Sequence, residues 1–394
     1  RLEVIRSRIA YSVRLSDESL LAVNPFQSKF WEAVRINDWL SVSAPTSAGK
    51  SRIIREYFLE NARRAGPFTL AYLVPTRALI EEVSRDLRRE LPSDVGVFTM
   101  PWDPDLKESS KTVLVVTQER LHLVLEFIPS LTVNLLFVDE AQSLASDARG
   151  ILLQYAIERT IRRSPKAQVL FASPLTSNPE LFVENAPPDQ HSDSFVSETV
   201  TVNQNLLWVE TISRKPERRA VFLVSGGDKH RVGELVLAQR ATKVPMRVAF
   251  VAYALAGNTP GNVIYVNSQS EAEKVSKAVF EQLPPVTEVD AEIKDLQDLI
   301  KTAVHKKYLL ADVLNRRVAF HYGNMPLVVR AEIERLFGEG KIYYLICTST
   351  LLEGVNLPCR TIFMRNPKKG TSNPLSEGDF WNLAGRAGRW GKEF

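Results

Sequence analysis

Short apolar runs of strand length recur along this 394-residue chain, and most lead into a stretch with helical spacing. Trp39 to Ser43 (WLSVS) alternates apolar and small polar residues, and SRIIREYFLENARRA continues with a helical period. TLAYLV (69–74) precedes ALIEEVSRDLRREL, TVLVVT (112–117) precedes ERLHLVLEFI, and NLLFVDE (134–140) and AQVLFAS (167–173) follow. After the irregular stretch NAPPDQHSDSFVSETVTVNQN a second series begins: NVIYVNS (262–268), RVAFHYG (317–323), IYYLICT (342–348) and RTIFMRN (360–366). Buried strands alternating with helices predict α/β domains, each a mostly parallel sheet with helices on both faces. Two such domains are expected, 1–200 and 201–394, with a charged helical insertion on the second at about 286–316. The charged run RDLRRE reads as a solvated helix face.

Composition narrows the class only slightly. Hydrophobic residues make up 44% and charged residues 24%, ordinary values for a globular protein, and the net charge of +4 permits a polyanionic partner without requiring one. Cys347 and Cys359 are too far apart for a CxxC pair, and two cysteines in a chain this long suit a reducing compartment, so a cytoplasmic setting is expected. No apolar run approaches the ~20 residues that span a bilayer, so no membrane role is expected. The chain opens RLEVIR without methionine and with no signal peptide, which reads as a trimmed piece of something longer.

The stretch from Ala44 to Ser51 carries the clearest chemistry. Strand, small-residue loop, Gly-Lys-Ser and helix is the context of a phosphate-binding loop. Backbone N–H groups of Thr46, Ser47, Ala48 and Gly49 would turn inward around phosphates, and the helix N-terminus would add positive potential. Lys50 would reach the β- and γ-phosphates and the Ser51 hydroxyl would be a Mg²⁺ ligand, which points to a nucleotide with Mg²⁺. The first glycine of the usual GxxxxGK[ST] pattern is Ala44 here. Asp139 and Glu140, two acids at the end of the apolar strand NLLFV, are costly there unless they work. Asp139 would hold Mg²⁺, and Glu140 would be the general base for the attacking water.

The loop APTSAGKS together with DEAQ resembles the superfamily 2 helicases, and further motifs of that superfamily follow in order along almost the whole chain. Asn24-Pro25-Phe26-Gln27 resembles the Q motif, in which the Gln27 amide would read the adenine edge with Phe26 packed nearby; an ordinary helix start after Pro25 is the plainer alternative. Pro75-Thr76-Arg77 resembles motif Ia and Gln118-Glu119-Arg120 motif Ib, where Pro75, Thr76, Arg77, Gln118 and Arg120 would take phosphates of one strand. Ser268 and Gln269 fall in a match to motif IV, and His321-Tyr322-Gly323 resembles an HxG element in which His321 and Gly323 would touch the strand. TSTLLEGVNLP (348–358) matches motif V, with Thr348 toward nucleic acid and Gly354 and Asn356 toward the nucleotide. NLAGRAGR (382–389) matches motif VI, with Arg389 as arginine finger and Arg386 beside it.

The form of motifs V and VI is similar to the DExH branch named for the superkiller helicases, and FWNLAGRAGRWGKE is similar to Hachiman-type antiphage helicases. The resemblance implies two tandem RecA-like domains and ATP-driven movement along one strand of DNA or RNA, mostly 3′ to 5′. It also implies a partner nuclease subunit, as such defence helicases have, and further C-terminal domains missing here. Three departures stand out: Gln142 (beside the nucleotide) replaces His, Ser173-Pro174-Leu175 replaces Ser-Ala-Thr, and Asn382 replaces the Gln that opens motif VI. They touch coupling more than nucleotide binding. They leave open a second reading, an ATP-gated nucleic-acid sensor or clamp that regulates a partner nuclease without processive unwinding.

Overall fold

The computed structural model describes residues 11–45, 48–107, 109–142, 147–174, 176, 178–197, 205–241, 243–349, 357, 359–369 and 373–388. The chain divides into two compact units, residues 1–201 and 202–394.

The first unit begins with a small antiparallel hairpin, β1 (Ser12–Arg14) and β2 (Leu20–Ala22). Then α1 (Pro25–Ile36), β3 (Trp39–Ser43), α2 (Lys50–Arg63), β4 (Phe68–Leu73), α3 (Arg77–Glu90) and β5 (Gly96–Phe98) follow in alternation. β6 (Lys111–Val116), α4 (Gln118–Phe127), β7 (Leu135–Val138), α5 (Asp147–Arg163), β8 (Gln168–Ser173) and β9 (Ser192–Val196) complete it. Seven strands form one sheet in the order β5-β6-β4-β7-β8-β3-β9, and every neighbouring pair is parallel. β3 and β7 are buried at every position, as expected of strands covered on both faces. Leu70, Tyr72, Phe137 and Leu170 face the layer that includes α1 to α3, while Ala71, Leu73, Leu136 and Phe171 face the α4–α5 layer. Phe58, Tyr72 and Phe137 meet edge to face, with centroids 4.7–5.8 Å apart.

The second unit opens with a three-stranded antiparallel sheet, β10 (Leu206–Ile212), β11 (Lys215–Ser225) and β12 (Asp228–Val236). After α6 (Val244–Ala256) come β13 (Asn262–Tyr265), α7 (Gln269–Gln282), α8 (Ala291–Ala303) and α9 (Leu309–Val313). The unit continues with β14 (Val318–His321), α10 (Leu327–Gly338), β15 (Tyr344–Cys347) and β16 (Thr361–Met364). A short ribbon of β17 (Lys368–Lys369) and β18 (Asn373–Pro374) precedes α11 (Glu377–Ala384). Its main sheet is again wholly parallel, in the order β14-β15-β13-β16.

Each main sheet carries helices and runs parallel, so the α/β expectation holds as two tandem RecA-like domains. Two segments depart from the sequence reading. The irregular stretch before residue 205 contains β9, whose edge position explains its exposed Ser192, Asp193 and Val196. The sheet β10–β12 was not anticipated, because most of its positions face solvent and leave little hydrophobic period to read. Within the charged stretch near 286–316, Ile293, Leu296 and Ile300 of α8 are buried in the core of the second unit.

Replacing Phe137 by Ala should destabilise the first domain by about 3–5 kcal/mol, since the cavity would lie between two aromatic rings in a rigid sheet. Denaturant unfolding checks this, and a loss below about 1 kcal/mol would show that the aromatic cluster does not hold the sheet.

Candidate nucleotide and strand-binding edge

Parallel strands deliver their carboxyl ends to one edge. In the first domain that edge carries, in sheet order, Thr117 after β6, Val74 and Pro75 after β4, Asp139 after β7, Pro174 after β8 and Ala44 after β3. The residues singled out along 130 positions of sequence are therefore neighbours in one row. Open α/β sheets bind ligands at this edge.

Asn24 caps α1, and its side-chain oxygen accepts from the Gln27 backbone at 2.8 Å while Gln27 Oε1 accepts from Asn24 N at 3.0 Å. The same two side chains then reach the phosphate loop. Asn24 Nδ2 donates to Ala48 O at 2.9 Å, and Gln27 Nε2 donates to Gly49 O at 3.1 Å. The Gln27 amide is thus engaged with the loop in this structure rather than aimed at an open adenine edge. The Asn-x-x-Gln spacing, a capping-box signature, is the sequence signal for this role of Asn24. Phe26 is 2% exposed and tilts against Phe195 at 5.9 Å. Its ring belongs to the core, under the helix start that carries Gln27.

Gly49 sits at φ +76°, a left-handed position, immediately before α2. A Cβ there would lie 2.5 Å from Gln27 Nε2. Lys50 is buried, and its ammonium donates to the Ala44 carbonyl at the other end of the loop. Ser51 is exposed on the first turn of α2. Thr46 and Ser47 lie outside the described residues.

Asp139 stands at the end of β7. Tyr72 OH donates to its Oδ2 at 3.1 Å and Glu140 N to its Oδ1 at 3.0 Å. Burial raises its carboxyl above the usual range, with the Lys50 charge as the main opposing influence. Tyr72, itself held protonated by burial and by Asp139, stays a donor. No motif named Tyr72; the β4–β7 register that places it became visible only in the fold. Glu140 has φ +51°, an unusual backbone for a β-substituted residue and one that concentrates at functional sites. Gln142 lies just beyond, its Oε1 shielded from water. Motif III is tied to the same loop: Ala44 N donates to Ser173 O at 3.1 Å, and Thr176 N to Ser43 Oγ at 2.6 Å. One carboxylate and one hydroxyl suit a hard divalent cation such as Mg²⁺, and Asp139, short of compensating positive charge, fits that role.

At the motif Ia position, Thr76 holds the N-cap place of α3 without a side-chain capping bond, its Oγ1 shielded, while Pro75 is half-buried and Arg77 exposed. Gln118 is buried and bonds Glu119 at 3.2 Å, while Arg120 donates to Thr99 O at 2.8 Å. Arg77 therefore offers its charge to solvent more freely than Arg120.

In the second domain, Ser268 caps α7 by accepting from Glu271 N at 3.2 Å, and Gln269 is exposed. Gly323 is exposed and Thr348 half-buried. His321 is fully buried, with Nε2 3.7 Å from Glu334 Oε1, so the expected strand contact is corrected to an internal position. Burial, with Arg330 adding to it, pushes its imidazole down to about 3. Arg386 is 8% exposed, and its backbone carbonyl accepts from Cys359 N at 3.1 Å, pinning the loop after α11 to the start of β16. Gly354, Asn356 and Arg389 lie outside the described residues. Among the described residues, no helix is long and apolar enough to cross a membrane.

Two family profiles fall one within each unit. DEAD/DEAH box helicase matches residues 24–179, and Helicase conserved C-terminal domain matches 287–391. The chain thus carries a DEAD/DEAH box helicase domain followed by a helicase conserved C-terminal domain. It is 26% identical over 407 residues to an activating signal cointegrator 1 complex subunit 3-like protein of Dictyostelium discoideum, covering 95% of this chain and 17% of that one. It is 26% identical over 404 residues to the U5 small nuclear ribonucleoprotein 200 kDa helicase of Caenorhabditis elegans, covering 93% and 18%. With Hachiman protein HamB of Bacillus cereus it shares 25% identity over 400 residues, covering 90% and 34%. The chain thus spans between about a sixth and a third of the length of these relatives.

Gly49→Ala should cost about 1–2 kcal/mol for the left-handed backbone, and should also push Gln27 off the loop. Thermal unfolding and binding of an ATP analogue measure both; unchanged values would mean that the loop does not need this conformation.

The His321 shift has a definite sign. The unfolded chain takes up this proton near pH 6.5 and the folded chain only near 3, so the stability is fully present above 6.5 and is lost as pH falls through that window. The slope reaches about 1.4 kcal/mol per pH unit. His321→Gln should remove this component, making the variant's denaturation midpoint less sensitive than wild type between pH 7 and 5; parallel curves would refute it.

Proposed function

We propose that this chain is the motor core of an ATP-dependent nucleic-acid helicase or translocase. The observation that carries the reading is the juxtaposition of Lys50 and Asp139 across one sheet edge, in a chain whose two halves match helicase families in the right order. Thr46 to Ser51 hold the phosphates, Ser51 and Asp139 hold Mg²⁺, and Glu140 takes the proton of the attacking water. Mg²⁺ would supply charge neutralisation on the phosphates. Gln27 leaves Gly49 to bind the adenine, which links base recognition to the loop. Arg386 and Arg389 are the arginine-finger candidates, and Gly354 and Asn356 the nucleotide contacts of motif V.

Pro75, Thr76, Arg77, Gln118 and Arg120 in one domain, with Ser268, Gln269, Gly323 and Thr348 in the other, hold one strand of DNA or RNA by its phosphates. Such contacts imply little sequence preference and strong salt dependence. Movement runs 3′ to 5′ in a cytoplasmic setting. The similarity to HamB favours a role in antiviral defence beside a nuclease subunit. A second reading, an ATP-gated clamp without processive unwinding, is favoured by Gln142 and by Pro174-Leu175 at the coupling motifs.

Lys50→Ala and Glu140→Gln should each lower strand-stimulated ATP hydrolysis at least a hundredfold while leaving the circular-dichroism spectrum unchanged. Wild-type turnover in either variant would sink the assignment. Hydrolysis by the wild type without displacement of a tailed duplex would favour the clamp.

A further inference from the structure

The loop after β5, the outermost strand of the first sheet, rises to the same carboxyl edge as motifs Ia and Ib. β5 pairs in parallel with β6, and its last residue, Phe98, lies beside Leu114, so the residues that follow run past the end of β6 toward the start of α4. There Arg120 Nη1 donates to Thr99 O at 2.8 Å, which ties the loop to the motif Ib position. Met100 and Trp102 stand in solvent, 42% and 64% exposed, with Pro101 buried between them.

The seat beneath this indole is fixed. Phe98 and Leu106, on either side of the loop, are buried in the same core layer as Leu121, Val124 and Leu125 of α4. Asp103 closes the loop: its Oδ1 accepts from Asp105 N at 3.2 Å and its carbonyl from Leu106 N at 3.3 Å, which starts the 3₁₀ turn Pro104–Lys107. Single exposed apolar side chains are ordinary on a protein surface. Trp102 differs because a loop anchored at both ends holds the largest aromatic side chain in water, three residues from the carbonyl that Arg120 grips.

Local charge selects what the indole can meet. Asp103 and Asp105 flank Trp102, and Asp105 is exposed, so this loop repels phosphate groups. A base is neutral and flat, and it stacks on an aromatic ring whatever its identity. Exposed Arg77, at the start of the helix after β4, offers the positive charge that phosphates need. A strand along this edge can therefore turn its phosphates to Arg77 and a base to Trp102.

We propose that Trp102 is a base-stacking contact for single-stranded nucleic acid at the outer end of this edge. The inference rests on the strand-binding reading of the motif Ia and Ib residues, and it adds a base contact to their phosphate contacts. Any base serves at the stacked position, and a position without a base does not.

Fluorescence anisotropy of the whole chain, with a labelled oligothymidylate and with an abasic strand of equal length, separates base contacts from phosphate contacts. Wild type should bind the thymidine strand at least about fivefold more tightly than the abasic one. Trp102→Ala should lose most of that preference while keeping the abasic affinity and the wild-type thermal unfolding, and Trp102→Tyr should retain it. No preference in the wild type, an unchanged preference in Trp102→Ala, or an equal loss on both strands would overturn the stacking contact and leave the strand-binding reading standing. Binding of neither strand by the wild type would overturn that reading, and the contact with it.

Discussion

Parallel register is the constraint on which the rest depends. A parallel sheet must return each strand through a crossover, so all carboxyl ends, and the N-termini of the helices that follow them, gather at one edge. In the first domain this aligns the ends of β6, β4, β7, β8 and β3, and with them motifs Ib, Ia, II, III and the phosphate loop. The second domain repeats the arrangement with β14, β15, β13 and β16. Nothing in the individual motifs requires such a row. It follows from strands buried on both faces, which only helical crossovers can cover.

At that edge, burial decides the electrostatics. Asp139 sits where desolvation works against its charge, and Lys50 is the nearby charge that counters it. Tyr72 and the Glu140 amide orient the carboxyl, and Glu140 itself holds a left-handed backbone at φ +51°. Lys50 meanwhile bonds the Ala44 carbonyl, so the loop is closed on itself by the cation that a phosphate would claim. Asn24 and Gln27 hold the same loop from the side of α1. The loop is thus preorganised by neutral hydrogen bonds and by one charge that can be redirected. The second domain handles its polar residues differently, keeping His321 and Arg386 inside and tying the Arg386 carbonyl to Cys359.

Much of this was legible before any coordinates. Apolar runs such as LLFV and YLIC are buried at every position, because a run too short for a helix and too apolar for an edge has one place to go. Gly49 stands where the loop turns into α2, at φ +76°, a backbone that glycine adopts without strain. The exposed sheet β10–β12 and the edge strand β9 escaped notice for the complementary reason: solvent-facing strands tolerate any polar residue, so they leave no period.

What the sequence determined by itself was the order of elements and the kinds of groups available: a lysine after a glycine, two acids after an apolar strand, arginines between glycines. Those depend on local spacing, which the chain carries whether folded or not. Which groups face solvent and which are spent inside was decided only by tertiary structure. Phe26 and His321 look like ligand contacts in sequence and are core residues in the fold, because neighbouring strands and helices close over them. Tyr72 looks like core in sequence and bonds the Asp139 carboxylate, because strand register, a long-range property, sets it beside Asp139.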